Sequence, residues 1–338
     1  MSKYQGAKKK VREYMSAMEG ATPETVLETM KDHVSDNYNW KGVYPFREIT
    51  KVEEVAEKFW KPVLSSFTRL QRREDIFIAG DNDVKEVGGK WVMSMGHFMG
   101  LFDKEFLGIR PTGKMTSIRY AEFNRVEDGK ITNTGIFLDL LGVMDQAGVY
   151  PLPQSTGEYF VYPGPRNHAG ILVEDAPEQE AVDTMALVNK MVADLTELNE
   201  SGAMGCPPEV LEKSWSKDMI WYGPCGIGAS YTIPRYQIQH QLPFRNNLEG
   251  KKFNGHVARF AEGNFACFFG WPNLTNTPVG GFLGLPGGVA ADMQVVDVYC
   301  RIDDKLVENW VLIDIPYWLK QQGLDVFKRT QEIKNPKF

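Results

Sequence analysis

Two short stretches each set a single carboxylate in otherwise apolar company. "ENWVLIDIPYWLKQQG" (308–323) carries Asp314 at the end of a strand-like run, just before Pro316. "NTGIFLDLLGVMDQAG" (133–148) carries Asp139 in the same place. Side chains alternate between the faces of a strand, so Trp310, Leu312 and Asp314 share one side, as do Gly135, Phe137 and Asp139. An aspartate beside apolar groups is poorly solvated, which disfavours its charged form and raises its pKa. Such a group can act as a base near neutral pH. The competing structural role is to cap the short helix that each stretch begins next.

Other side chains could complete such a site. His97, in "SMGHFMG", is a candidate partner; aligning "HFMG" with "PVGG" puts Pro278 at its place in the second half, where His240 and His256 are extra histidines. Arg119, in "SIRYAEF", could hold an anionic or enolate oxygen, or simply pair with Glu122. Its counterpart Gln294 can only donate a neutral hydrogen bond. Trp40, Trp221, Tyr222, Trp271 and Trp310 fall at strand ends or in turns and could line an apolar pocket for a ring-shaped ligand. The five histidines are scattered, so no metal site is expected. "GPCGIGAS" (223–230) has the wrong spacing for a dinucleotide loop, and no Walker loop, H-E-x-x-H or G-x-S-x-G occurs.

The elements that must position these residues come in two copies. At an offset of 175, Pro111 meets Pro286, Gly113 meets Gly288, Asp128 meets Asp303, Asp139 meets Asp314, Gln146 meets Gln321 and Gly148 meets Gly323. Glu122 falls on Asp297. With small gaps, "PETVLE" (23–28) resembles "PEVLE" (208–212) and "NWKG" (39–42) resembles "IWYG" (220–223). The order of matches is the same in both halves, which identifies two copies of one domain. The expected division is 1–150, a Pro/Gly-rich connector over 151–177, and 178–338.

Each copy opens on helical periodicity, over 8–37 and over 179–199 with 208–214. Short strands follow. "KWVMSMGHFMGLF", "MTSIRYAEFNRV" and "ITNTGIFLDL" are separated by Gly, Pro or Asp-Gly turns, and "EDGK" (127–130) predicts a hairpin. Helices followed by several antiparallel strands are an α+β pattern, in which the sheet curls on its helices around a concave pocket.

The 338 residues suit two domains, and 43% hydrophobic with 24% charged residues is an ordinary globular balance. A net charge of −6 gives no support to a nucleic-acid partner, and Lys8-Lys9-Lys10 reads as a solvated helix start. No apolar run approaches the ~20 residues that cross a bilayer, and "MSKYQGAKKK" lacks a signal-peptide core. Cys206, Cys225, Cys267 and Cys300 show no C-x-x-C spacing, as for reduced thiols. A cytoplasmic protein with no membrane partner is the expectation.

"GHFMGLFDKEFLGIRPTGKMTSIRYAEFNRVEDGKITNTGIFLDLLGVMDQAG" closely resembles the SnoaL-like polyketide cyclase family, within the nuclear-transport-factor-2-like superfamily. The matching features are Gly96-His97, "GIRPTGK", Arg119, "DGKI" (128–131), Asp139 and Gln146-Ala147-Gly148. The likeness is looser but continuous over 280–325. It implies two tandem cone-shaped α+β barrels, each a curved antiparallel sheet wrapped on N-terminal helices around an apolar cavity. It also implies cofactor-independent acid/base chemistry on a small carbonyl substrate, by aldol-type cyclisation, isomerisation or dehydration. By that likeness Asp139 and its repeat Asp314 would be bases, with His97 on the substrate oxygen. The expected substrate-binding set is Trp40, Arg119, Glu122, Trp221, Tyr222, His240, Trp271, Asp297 and Trp310. Gly135 departs from the family's tryptophan. Related domains pair through their sheets, so the tandem could build within one chain what others build as a homo-oligomer. The alternative function is a non-catalytic binder of apolar small molecules, with one or both domains structural.

Overall fold

A computed structural model describes residues 3–201, 205 and 207–334. The first half runs α1 (Gln5–Glu19), α2 (Val26–Lys31), β1 (Val34–Gly42), β2 (Arg47–Ile49), α3 (Val52–Val55), a π turn (Ala56–Trp60), α4 (Lys61–Ser66), β3 (Phe67–Asp81), β4 (Lys90–Phe102), β5 (Met115–Glu127), β6 (Lys130–Leu138) and α5 (Leu140–Gln146). The second repeats the plan: α6 (Glu178–Glu200), α7 (Pro208–Glu212), β7 (Trp215–Tyr222), β8 (Ala229–Tyr231), α8 (Ile233–Tyr236), a π turn (Gln237–Gln241), α9 (Leu242–Asn246), β9 (Leu248–Phe253), β10 (Ala258–Glu262), β11 (Phe265–Pro278), β12 (Ala291–Ile302), β13 (Lys305–Ile313), α10 (Ile315–Gln321) and α11 (Val326–Gln331).

The fold is two tandem α+β domains, as expected. Their sheets are ordered β2-β1-β6-β5-β4-β3 and β10-β11-β12-β13-β7-β8, with β9 also on β11. They are mixed and open, because β1 runs parallel to β6 and β7 parallel to β13. The periodicity over 8–37 is interrupted: α1 stops before Gly20, and β1 already begins at Val34. The "EDGK" hairpin forms, with Asp128 and Gly129 both at positive φ (49° and 73°), the requirement of a tight two-residue turn.

The sheets pack face to face within the chain. Phe123 and Phe137 of the first meet Phe269 of the second at ring-centroid distances of 4.8 and 6.0 Å. Gly135 is glycine for this reason, since a Cβ there would lie 2.8 Å from the Phe269 ring. Lys8 is not solvated. It is 1% exposed and forms an ion pair with Glu262 of the second domain, because β10 packs against β3, the strand on which α1 lies.

Cys225, Cys267 and Cys300 are buried free thiols; Cys206 lies outside the described residues. Among the described residues no helix is long and apolar enough to cross a membrane, and no three His, Cys, Asp or Glu side chains are placed to hold a metal.

Candidate functional site

The duplicated aspartates answer to the capping alternative and add a second task. Asp139 Oδ1 accepts the Gly142 amide at 3.3 Å, capping α5, and Oδ2 accepts the Cys225 amide of the other domain at 2.8 Å. Asp314 Oδ1 accepts the Tyr317 amide at 3.1 Å, capping α10, and Oδ2 accepts the Tyr44 amide of the first domain at 2.8 Å. Each side chain thus ties a helix start to the loop after β1 or β7 in the opposite domain. Burial raises both pKa values, Asp314 to about 6, against the pull of these amides. They are 7% and 1% exposed. With both oxygens of each engaged by backbone, neither is placed as a base on a bound ligand.

Several other expected residues belong to the same interface. Arg119 donates to the carbonyls of Tyr222 (3.0 Å) and Gly223 (3.1 Å) across the domains and lies over the Tyr162 ring. It does not meet Glu122, which faces the other side of β5. His97 pairs in register with Arg119, so it shares that outer face, its Nδ1 3.5 Å from Asp75. Trp271 packs on Phe137 and under Arg47. Tyr222 stacks on Trp310, whose indole N–H donates to the Pro163 carbonyl. Gln146 and Gln321 each bracket one strand residue, Ser117 and Asp292, bonding both its N–H and its carbonyl. The most recognisable part of the repeated pattern therefore holds the molecule together.

The concave interiors differ between the domains. In the first, Glu122 is 0% exposed and receives the Arg72 guanidinium at 2.7 Å and the Asn124 amide at 3.0 Å. Arg72 lies over the rings of Phe98 and Tyr120, each 4.7 Å from its centroid. Trp40 packs on Phe59, and Phe59 on Trp60. What remains beside Met15, Met18, Trp60, Arg72 and Phe98 is about 20 Å³, room for about one water. That interior is closed.

In the second domain the same region is a cavity of about 180 Å³. Its apolar wall includes Met191, Trp215, Trp221, Phe244, Leu274 and Val311; its polar groups are Asp297, Tyr299, Asn309, Asn273, Tyr236 and His240. Counterparts explain the difference. Arg72 pairs with Phe98 and Phe98 with Ile118, while Phe253 pairs with Leu274 and Leu274 with Met293. Met293 is Ile118 shifted by the repeat offset, so Phe253 stands where Arg72 does, and it is 61% exposed. It turns outward because the long strand β3 is split here into β9 and β10. At the π turn, an offset of 181 puts Gln241 at the place of Trp60 and His240 at the place of Phe59.

Among the described residues Asp297 consequently has no cation beside it. Its Oδ1 accepts the Asn309 amide at 3.1 Å, and the side chain is partly exposed, into the cavity. Burial raises its pKa to about 7, opposed by the Asn309 amide and the Tyr299 hydroxyl. His240 is held neutral by burial, at about 3. Of the expected binding residues, the structure brings together Trp221, His240 and Asp297; Trp40 and Glu122 lie in the closed first interior.

The place of His97 is not taken by Pro278. Three residues, Trp271–Asn273, bulge between the pairs Gly270–Val295 and Leu274–Met293, opposite Gln294, the counterpart of Arg119. Asn273 thus enters the cavity, its amide bonded to the Gly255 carbonyl and His256 Nδ1. Tyr299, Asn309, Asn273 and Tyr236 were missing from the sequence-derived set. Alternation along β12 could have found Tyr299, two residues from Asp297. Asn309 needed the hairpin register.

Residues 80–147 match the family described as SnoaL-like polyketide cyclase, from the end of β3 into the residue after α5. The resemblance read from the sequence is borne out there, and the second sheet is consistent with a tandem duplication. Similar solved structures include a protein of Jannaschia sp. CCS1 assigned as a SnoaL-like polyketide cyclase, 18% identical over 41% of this chain and 89% of that one, TM-score 0.32. Another is a nuclear-transport-factor-2-like protein of Burkholderia xenovorans LB400, 12% identical over 42% and 97%, TM-score 0.34. IdmH of Streptomyces antibioticus, assigned as a polyketide cyclase, is 16% identical over 41% and 96%, TM-score 0.34. No curated protein matches the chain.

Proposed function

We propose that the chain is an acid/base enzyme that removes a proton next to the carbonyl group of a small neutral ring compound, in the second domain, with Asp297 as base. In coarse terms the family match suggests cyclase- or isomerase-type chemistry. The observation that carries the finer reading is a carboxylate in a cavity of mixed apolar and polar lining, with no cation beside it among the described residues, at the position where its duplicate Glu122 is locked by Arg72. A base whose pKa is about 7 is substantially ionised at neutral pH yet still strong enough to take a proton from carbon. The α C–H electrons become the enolate π bond. The proton then returns at another carbon, or the enolate carbon attacks a second carbonyl and closes a ring.

The cavity limits the substrate. About 180 Å³ is close to the ~150 Å³ that holds one benzene and below the ~300 Å³ of drug-sized sites. Its lining contains no Lys or Arg, which argues against an anionic ligand. The scheme calls on no metal and no organic cofactor, and the proposed partner is the small molecule alone. The first domain serves as a scaffold.

The test is α-deuterium exchange of cyclohexanone in heavy water, followed by proton NMR. The wild type should accelerate exchange, with a rate rising through a midpoint near pH 7 as Asp297 ionises, and Asp297→Asn should fall to the buffer rate. Unchanged exchange in that variant would remove Asp297 from the role. A protein that binds the ketone but never exceeds the buffer rate would be the non-catalytic binder instead.

A further inference from the structure

The helix that roofs the second cavity differs from its duplicate in a consistent way. The inward positions of the first π turn are Ala56, Phe59 and Trp60, all buried and apolar. Those of the second are Gln237, His240 and Gln241. His240 lies flat on Trp221, ring centroids 4.0 Å apart and planes 16° apart, where Phe59 packs on Trp40 at 4.9 Å. Among the described residues its Nδ1 is shut away without a hydrogen-bond partner, as are Gln237 Nε2 and Gln241 Oε1. Each buried polar atom left unpaired costs about 1–3 kcal/mol. Three on one turn, where the duplicate shows that apolar residues fit, are not explained by packing.

The imidazole stays neutral at ordinary pH, so it carries one ring proton. No acceptor stands beside the shielded Nδ1. Nε2 is not among the shielded, unpartnered atoms, and with the proton on Nε2 the ring can serve an oxygen in the cavity that His240 lines.

We propose that His240 is a catalytic residue of this site, donating its Nε2–H to the substrate's carbonyl oxygen and to the enolate oxygen that forms as the α-proton leaves. This rests on the reading of Asp297 as base. The proton goes to the Asp297 carboxylate, the negative charge to the oxygen, and the imidazole keeps its own proton throughout. A donor already in place where charge develops is worth far more in a low-dielectric site than in water. The substrate class narrows to a one-ring ketone or enone whose oxygen points at the helix and whose α-carbon faces β12.

The test compares His240→Phe, His240→Gln and Asp297→Asn, by cyclohexanone exchange and by titration with phenol, a ring whose oxygen stands in for the enolate. Phe59 shows that the fold accepts phenylalanine at this position. His240→Phe should melt with the wild type and lose about 10²-fold in exchange rate. It should keep the pH midpoint, which belongs to Asp297, and bind phenol about tenfold more weakly. His240→Gln, which retains a donor, should lie between the two. In ¹⁵N-histidine protein, phenol should shift the His240 Nε2 resonance. Wild-type exchange and phenol affinity in His240→Phe would overturn the proposal and leave Asp297 in place, as would equal losses in the Gln and Phe variants. Unchanged exchange in Asp297→Asn would overturn the base, and this proposal with it. A wild type that neither exchanges cyclohexanone nor binds phenol would overturn both.

Discussion

Asp297→Asn should make the protein inactive and more stable, by an amount that depends on pH. The free carboxyl titrates at 3.8 and the folded one at about 7. Because the folded value is raised, the folded state holds this proton more tightly than the unfolded chain. Stability from this group is therefore lost as pH climbs from about 4 to about 7 and is level above that. A gap of 7 − 3.8 = 3.2 pH units, at 1.36 kcal/mol each, is about 4 kcal/mol. Asp297 is partly open to its cavity, so about 2 kcal/mol is the working figure. Asparagine keeps an oxygen for the Asn309 amide and carries no charge, so it should recover that energy at pH 8 and little of it at pH 4. In a domain of this size ~2 kcal/mol corresponds to a rise of roughly 4–8 °C in melting temperature. Thermal melts of both proteins at pH 4 and pH 8 decide the matter. No gain at pH 8, or the same gain at both values, would refute the idea of a strained, unpaired carboxylate.

The closed domain and the staples make their own predictions. Asp314→Ala strands the Tyr44 and Tyr317 amides and should cost about 1–3 kcal/mol for each amide left buried without an acceptor, measured by urea unfolding, with cyclohexanone exchange preserved in the folded protein. Arg72→Met leaves Glu122 buried and unpaired and should cost about 3–5 kcal/mol, most of it restored in Arg72→Met with Glu122→Gln; failure of the double variant to recover would mean that the arginine matters for packing, not charge. Gln241→Trp installs the first domain's plug and should abolish phenol binding in a calorimetric titration without unfolding the protein.

What was legible in the sequence follows from what each signal encodes. The repeat showed itself in turn and cap residues such as Asp128, Gly148, Asp314 and Gln321, because those chemistries tolerate few substitutes. The same residues drew attention as a site for the wrong reason. An aspartate at a strand end is equally a cap, and no sequence pattern reveals that a backbone amide from the other domain, Cys225 or Tyr44, closes its second oxygen. The open cavity was harder to see because it arises from differences between copies: Arg72 against Phe253, Trp60 against Gln241, Phe59 against His240. Matching these needs strand register and a π turn, and the bulge at Trp271–Asn273 shifts the residue opposite Gln294 away from Pro278. Asp297 is visible only as the counterpart of Glu122, with nothing local to show that one meets a cation and the other only neutral donors.

The most direct measurement is a crystal structure of the protein soaked with phenol. Density for one ring is expected in the second domain, against Trp221, with its oxygen within hydrogen-bonding distance of His240 Nε2 and its edge toward Asp297. A ring bound in the first domain, or in the surface cleft lined by Asp75, Pro163, Arg166, Tyr222 and Glu308, with this cavity empty, would contradict it.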